Sequence, residues 1–356
     1  MSRAQIRKAA FVDPYEDQAL AQCISGARSA GSAGNGEMSA AADYLAPGAI
    51  EINRYATEIV DMVRRRFTLG QRINQTLATG QPHRYFEQLG IPTANATNPR
   101  ALVATASQPT RQERVVALKA IVAQINYGLF DVEINQQQGQ FAYLEAKDLT
   151  DTVDGVLKLH DQTLWTGNDT DLFLQTSTQY YGISGQIMAG AVSSLGLGIN
   201  TISATGSLVD GVKTQVAAMA NRQDFEVRPT AIYGNPTLLN LFDQEVYDAG
   251  RQLFYNQVEV LPGVVVNGIP TQVGILPLVS DSALSNVAAA GGKTQYSGFI
   301  LSDVDMIKYA YLTDPLPRVF QLGLLGNLSS QYVVVKFGAP YVEGPGYAHG
   351  VFITIR

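Results

Sequence analysis

The chain has 356 residues, with 25 Lys and Arg against 31 Asp and Glu, a formal net charge of −6. That length buries a large core and divides into two or more compact regions. No apolar run is long enough for a transmembrane helix, and a lone Cys23 excludes an intrachain disulfide framework or a thiolate metal cluster.

Charged residues make up only 16% of the chain, under the usual quarter, so much polar surface is Ser, Thr, Asn, Gln and Gly. Such a surface suits a protein that hides much of itself against other subunits, although secreted β-rich proteins look similar. The charge is unevenly spread. Up to Lys119 there are 14 basic and 10 acidic residues, net +4, and after it 11 basic and 21 acidic, net −10. A positive leading portion and a negative remainder can meet within one subunit or between neighbours. The acidic body argues against sequence-specific nucleic-acid binding. Arg3, Arg7 and Lys8 are followed by no apolar signal core, so export by signal peptide is not expected.

Residues 1–46 have little periodicity, and Gly26 to Gly36 is nearly free of core-building side chains. The segment is equally an extended arm or a disordered tail by composition, with Tyr15, Tyr44 and Leu45 as anchors a tail would not need. Pro47 to Phe67 has helical spacing at Ile52, Tyr55, Ile59, Val60 and Val63. Arg64, Arg65 and Arg66 complement the negative end of that helix; they are either a solvated helix end or an intersubunit ion-pair site. From Thr68 to Gln112 the chain is long and polar, with turn signals at Gly80-Gln81-Pro82, Gly90-Ile91-Pro92, Asn98-Pro99 and Gln108-Pro109. A loop of this length without its own core points to a protruding two-stranded arm resting on something outside its own subunit.

Val115 to Ile134 returns to alternation, with Val116, Leu118, Ala120 and Val122 expected on one face of a strand. The most strongly periodic stretch is Phe141 to Asn168, where Leu149, Val153, Val156, Leu157, His160 and Leu164 share one helical face. A helix of that length spans roughly 35–40 Å, and Gly167-Asn168 stops it. His160 is expected in the core, and Gly155 marks the expected bend. Small residues fill Ser184 to Ser203. A second helix follows over Ser207–Arg222, capped by Ser207 or Thr205, with a stripe of Leu208, Val212, Val216 and Met219. Thr230–Tyr233 is a buried strand, Thr237–Asp248 a short helix, and Asn267-Gly268 a tight hairpin. Further strands are expected over Gly298–Leu301, Met306–Leu312 and Gly350–Ile355, and Val319-Phe320 pairs with Tyr332–Phe337 across Gln321–Ser330. Helix and strand mix without a βαβ rhythm, which favours α+β.

Chemistry is sparse. There is no phosphate-binding loop and no dinucleotide fingerprint. The histidines His83, His160 and His349 fall in no metal-ligand spacing. Gly182-Ile183-Ser184-Gly185 lacks the second spaced glycine of a nucleophile elbow and is expected to be a turn. Asp169 with Asp171, or Asp303 with Asp305, are expected as solvated acids. The residues point to a non-enzyme with no cofactor and no metal.

The order of these elements resembles the major capsid proteins of tailed phages, the Hong Kong 97-type fold. The resemblance rests on Phe141–Trp165 with its Gly167-Asn168 stop, Tyr180–Ile187 (YYGISGQI), Arg228–Phe242 (RPTAIYGNPTLLNLF), Val260–Val273 and Phe299–Pro315. It implies an N-terminal arm (1–46), a helix leading into the peripheral (P) domain (47–67) and an extended E-loop (68–114). The P domain would follow over 115–206 with spine helix 141–168, then an axial (A) domain over 207–298, and a terminal hairpin and strand over 299–356. It implies pentamers and hexamers in an icosahedral shell around double-stranded DNA held non-specifically, with assembly in the host cytoplasm, a final place in the virion capsid and no membrane. A portal and, given the short N-terminus, a separate scaffolding protein are implied partners, and a decoration protein is a further one. Intersubunit contacts are implied at Arg64, Arg65, Arg66, Arg72, Arg84, Tyr85 and Phe86, and bending of the spine at Gly155. No Lys lies between Lys8 and Lys119, so no E-loop lysine crosslink is expected. An encapsulin-like shell around cargo protein, and a β-rich binding protein or hydrolase, are the alternatives.

Overall fold

The computed structural model describes residues 69–70, 72–100, 106–128, 144–174, 177–222, 227–248, 256–261, 264–302, 306–322 and 329–356, with Phe130 and Glu133 singly. These fall within one compact unit, Asp61–Arg356. The expected arm over 1–46, the helix over 47–67 with Arg64, Arg65 and Arg66, and the pair Asp303 and Asp305 lie outside the described residues.

In chain order the elements are strands β1 (Asn74–Leu77), β2 (His83–Gly90), β3 (Thr110–Val116) and β4 (Lys119–Gly128), then helices α1 (Leu144–Thr166) and α2 (Ile183–Ala191). Strand β5 (Ile199–Ile202), helix α3 (Leu208–Ala220), strand β6 (Ala231–Gly234) and helix α4 (Pro236–Asp248) follow. Among the described residues strands β7 (Asn256–Leu261), β8 (Val264–Thr271), β9 (Gly274–Ser280), β10 (Val287–Ala288), β11 (Thr294–Leu301), β12 (Ile307–Tyr311), β13 (Arg318–Leu322), β14 (Ser329–Val342) and β15 (Gly350–Ile355) follow, with a single 3-10 turn at Ala290–Gly292.

Among the described residues the strands form three sheets. The first is ordered β1-β12-β14-β13, with β4 along the other edge of the long β14. The second runs β5-β15-β11-β6-β9-β8-β7, with β10 on β11. The third is the β2–β3 hairpin alone.

Strand alternation explains how these layers stack. In the second sheet Ala231, Tyr233, Phe299, Leu301 and Val351 enter one core, while Ile232, Ile300 and Phe352 enter another. A sheet buried on both faces reads as continuous apolar runs, as in Ala231-Ile232-Tyr233 and Phe299-Ile300-Leu301. Helices α3 and α4 cover one face through Leu208, Val212, Val216, Met219, Leu238 and Phe242. On the other side Val156, Leu164 and Trp165 of α1, with Ile183 and Ile187 of α2, fill the space shared with Tyr309, Val334 and Tyr341 of the first sheet. The expected α3 stripe is fully buried, and Ser207 caps that helix by accepting from the Asp210 amide.

The long helix ends against α2. A Cβ at Gly167 would stand 2.2 Å from the Tyr180 carbonyl, and one at Gly182 would stand 2.4 Å from the Trp165 carbonyl. Only glycine permits this approach, which the Asp169 amide closes by donating to the Tyr180 carbonyl at 3.1 Å. Gly155 is the opposite case: the helix is continuous through it and, among the described residues, nothing lies within 4 Å of its Cβ position.

Several expectations are corrected. Asn267-Gly268 does not turn. Strand β8 passes through it because Gly268 is paired on both sides, to Asn256 and to Pro277, and the chain reverses between Thr271 and Gly274 instead. The β4 alternation is out of phase with that expected: β3 stops at Val116 and β4 starts at Lys119, so Ile121 and Ala123 turn inward while Ala120 and Val122 face out. The turn expected at Gly182–Gly185 is the start of α2. Part of the expected loop over 68–114 is not loop, since β1 pairs in parallel with β12. The pairing of β13 with β14 agrees with expectation, Phe320 standing opposite Val333.

Two glycine substitutions should act in opposite directions. Gly182→Ala should lower the stability of the fold by about 1–3 kcal/mol through overpacking, whereas Gly155→Ala should raise it by about 1 kcal/mol. Urea unfolding of the monomeric chain checks both signs.

Candidate functional site

The feature that stands apart from the cores is the β2–β3 hairpin. Its strands pair from His83 opposite Val116 to Gly90 opposite Thr110, with an irregularity between Gln88 and Gly90. Its root is tied into the body of the chain. The Tyr85 ring lies 4.6 Å from that of Tyr341, and His83 lies 5.2 Å from the same ring. Glu87 is buried; it accepts from Arg114 Nε at 3.2 Å and from the Gly344 amide at 3.1 Å. Burial and the Glu87 charge hold the Tyr85 phenol above its ordinary pKa. A cleft of about 250 Å³ lies beside the root, lined by Tyr85, Glu87, Arg114, Gln186 and Tyr347 among others.

Beyond the root, residues 91–100 are all exposed. Phe86 is 72% and Ile91 78% exposed. Of the residues expected to contact other subunits, Arg72 and Tyr85 are engaged within the chain, Arg72 by donating to the Tyr233 hydroxyl. Arg84 pairs with Glu113 across the hairpin at 2.9 Å on its exposed side. Phe86 stands free of the cores.

Sequence reading missed the buried polar pins that hold the body rigid. Lys119 Nζ makes an ion pair with Asp169 and donates to the carbonyls of Gln179 and Ser177, the latter at 2.6 Å. Asp169 is therefore a buried ion-pair partner, not the solvated acid expected. Asp171 is exposed and caps its own turn by accepting from the Phe173 and Leu174 amides. Trp165 donates its indole N–H to the buried Asp281 at 2.9 Å. No local pattern signals either pairing, because the partners are 50 and 116 residues apart.

His160 is buried, as expected, edge-on to Tyr309 at 4.7 Å and Tyr180 at 6.0 Å, whose hydroxyls bond each other at 3.0 Å. Burial, then the nearby Lys336 charge, push its imidazole well below the ordinary range. Burial lowers Lys336 to about 8 against the opposing pull of Asp314. Its ammonium donates to the Pro315 carbonyl at 2.7 Å. His349 is fully buried with neither ring nitrogen hydrogen-bonded at ordinary distance, and burial takes it to about 4, opposed only in part by the Glu343 backbone.

None of these groups forms a nucleophile–base pair opening on a cleft. Ser184 donates its hydroxyl to the Trp165 carbonyl. Among the described residues no cluster of three or more His, Cys, Asp or Glu is placed to hold a metal, and no helix is long and apolar enough to cross a membrane.

No family model matches the sequence, and no curated protein matches it. Solved structures do. The chain is similar to the capsid asymmetric unit of cyanophage A-1(L), with a TM-score of 0.61 over 85% of this chain and 96% of that one at 10% identity. It is similar to the capsid of cyanophage P-SCSP1u, with a TM-score of 0.58 over 85% and 92% at 13% identity. It is also similar to a Synechococcus elongatus encapsulin, with a TM-score of 0.51 over 89% and 95% at 15% identity. The chain has the Hong Kong 97-type fold shared by tailed-phage capsid structures. At these identities the likeness carries the fold and assigns no residue a role.

Two substitutions test the buried groups. Lys119→Met should cost about 3–5 kcal/mol by stranding the Asp169 charge, and adding Asp169→Leu should recover most of it. His349 has a folded pKa below its unfolded 6.5, so its contribution is complete above pH 6.5 and is lost as pH falls towards 4. The loss should reach about 2 kcal/mol by pH 5. Urea midpoints across that range should show a shallower pH dependence in His349→Asn, with His160 still contributing in the same direction.

Proposed function

We propose that the chain is the major capsid protein of a tailed phage, a structural subunit that assembles as pentamers and hexamers into a closed icosahedral shell around double-stranded DNA. The observation that carries this reading is the likeness of nearly the whole chain to phage capsid subunits. The exposed hairpin supports it physically. A two-stranded ribbon is marginal in water by itself, and among the described residues this one is anchored at its root while 91–100 are exposed.

On this reading the hairpin is the E-loop, and its protruding part is 83–116, because 74–77 pair into the first sheet. The first sheet with α1 forms the P domain, and 207–298 the A domain. Arg84 and Phe86 are the hairpin residues that meet a neighbouring subunit, with Arg64, Arg65 and Arg66 as further contacts. The subunit has a structural and no catalytic role. It assembles in the host cytoplasm with a separate scaffolding protein and a portal, receives a decoration protein on its outer surface, and holds DNA non-specifically.

A second reading, an encapsulin-like compartment, is favoured by the likeness to the encapsulin. It shares the shell and differs in cargo. Sedimentation and negative-stain imaging of the expressed chain should give closed multi-subunit shells, and a stable monomer under all conditions would sink both readings. Nuclease-sensitive contents of filled particles support the phage reading, while protein contents favour the compartment. Denaturing gels of mature particles should show monomers, since the Lys119 ammonium is held in an ion pair with Asp169 and the hairpin has no lysine.

A further inference from the structure

The cleft of about 250 Å³ beside the hairpin root has walls whose chemistry a purely structural role does not use. Strand alternation builds one of them. Tyr85, Glu87 and Leu89 are spaced by two on β2, as Gln112 and Arg114 are on β3, with Tyr85 paired to Arg114 and Glu87 to Gln112. The opposite wall is α2 with the turn 345–347, packed so closely that a Cβ at Gly346 would stand 2.1 Å from the Gly190 carbonyl. Leu172, Leu195 and Val342 make much of the remaining lining hydrocarbon. Several polar groups in these walls are already spent. Gln186 donates to the Tyr181 carbonyl at 2.7 Å and accepts from the Val342 amide at 3.0 Å. One Glu87 oxygen accepts from Arg114 Nε and the other from the Gly344 amide. Among the described residues the two terminal nitrogens of Arg114 and the Tyr85 hydroxyl have no hydrogen-bond partner. A guanidinium carries five N–H donors, and this one spends a single donor on Glu87. Burial and then the Glu87 charge raise the Tyr85 phenol, so it stays protonated and keeps a donor of its own.

We propose that the cleft is a binding site for a small apolar carboxylic acid, its carboxylate held by the terminal nitrogens of Arg114 and its hydrocarbon lying among Leu89, Leu172 and Leu195. The donor set chooses the head group. A carboxylate matches the planar guanidinium fork, and the Tyr85 hydroxyl lines the same space. Glu87 sets the charge: it already offsets Arg114, so one negative charge is accommodated where a dianion such as phosphate is repelled. The walls choose the tail, because leucine side chains reward hydrocarbon and offer it no hydrogen bond. Size is bounded as well. A cleft smaller than the roughly 300–1,000 Å³ of drug-sized sites takes an acid of about six to nine carbons. All of the lining belongs to one chain, so the inference stands apart from the shell reading.

The test titrates phenylpropanoate into the purified full chain by calorimetry, as monomer or particle, and maps the site by hydrogen–deuterium exchange. Saturable one-to-one binding is expected with a Kd on the order of 1 mM, together with slowed exchange in peptides covering 84–89, 111–116 and 342–347. The neutral amide of the same acid should bind about tenfold more weakly. Arg114→Lys keeps a positive charge beside Glu87 but loses the fork, so it should weaken the acid by about tenfold and leave the amide unchanged. Leu195→Glu, at a residue 38% exposed, should abolish binding of the acid while the melting temperature stays at the parent value. Equal affinity for acid and amide overturns the carboxylate assignment. No saturation up to about 20 mM, or protection confined to other segments, overturns the site. A chain that binds the acid and forms no shell would sink the shell reading and leave this inference standing.

Discussion

Trp165 is the residue on which the packing of the body turns. It lies at the end of α1, fully buried, with its ring 5.6 Å from Tyr233 and 5.5 Å from Phe299 of the second sheet. Its indole N–H is satisfied by Asp281 on the segment after β9, as a buried donor requires. The same helix turns Val156 and His160 towards the first sheet. One helix end is thus held between two sheets, and the sharp return at Gly167 and Gly182 brings α2 into the same layer. Loss of that junction would leave the two sheets without a common core.

The buried ions and hydrogen bonds share a logic. Lys119, Asp169, Asp281, Gln186 and Glu87 each join segments far apart in sequence, and all but Lys119 are buried. Replacing such pairs with apolar groups is often neutral, so their net contribution to stability is modest. What they fix is geometry. Glu87 in particular sets the hairpin root against the turn at Gly344, which decides where the exposed tip projects. On the shell reading proposed above that direction has to be defined, because neighbours would meet the tip and not the core.

Much of this fold was legible in the sequence because its strongest signals are local. The α1 and α3 stripes, the Asn235-Pro236 turn into α4 and the terminal strand all follow from periodicity and capping. The failures have physical causes. Asn267-Gly268 carries turn chemistry, yet hydrogen bonding on both sides of β8 holds it extended. The two residues between β3 and β4 reset the inward face, which a continuous alternation could not reveal. The parallel pairing of β1 with β12 joins segments more than 230 residues apart, out of reach of any local rule. At the candidate site, composition indicated a hairpin needing an outside partner, but not that Arg72 and Tyr85 would be occupied within the chain. It marked Gly155 as unusual only as a place to bend. Among the described residues nothing lies within 4 Å of its Cβ position.

The central claim is that the chain builds a shell by laying its exposed hairpin on other copies of itself. A cryo-microscopy reconstruction of the assembled particles, resolved to side chains, tests it most directly. The account predicts pentamers and hexamers in which residues 83–116 of each subunit lie across a neighbour. Particles in which that hairpin contacts only its own subunit would contradict it.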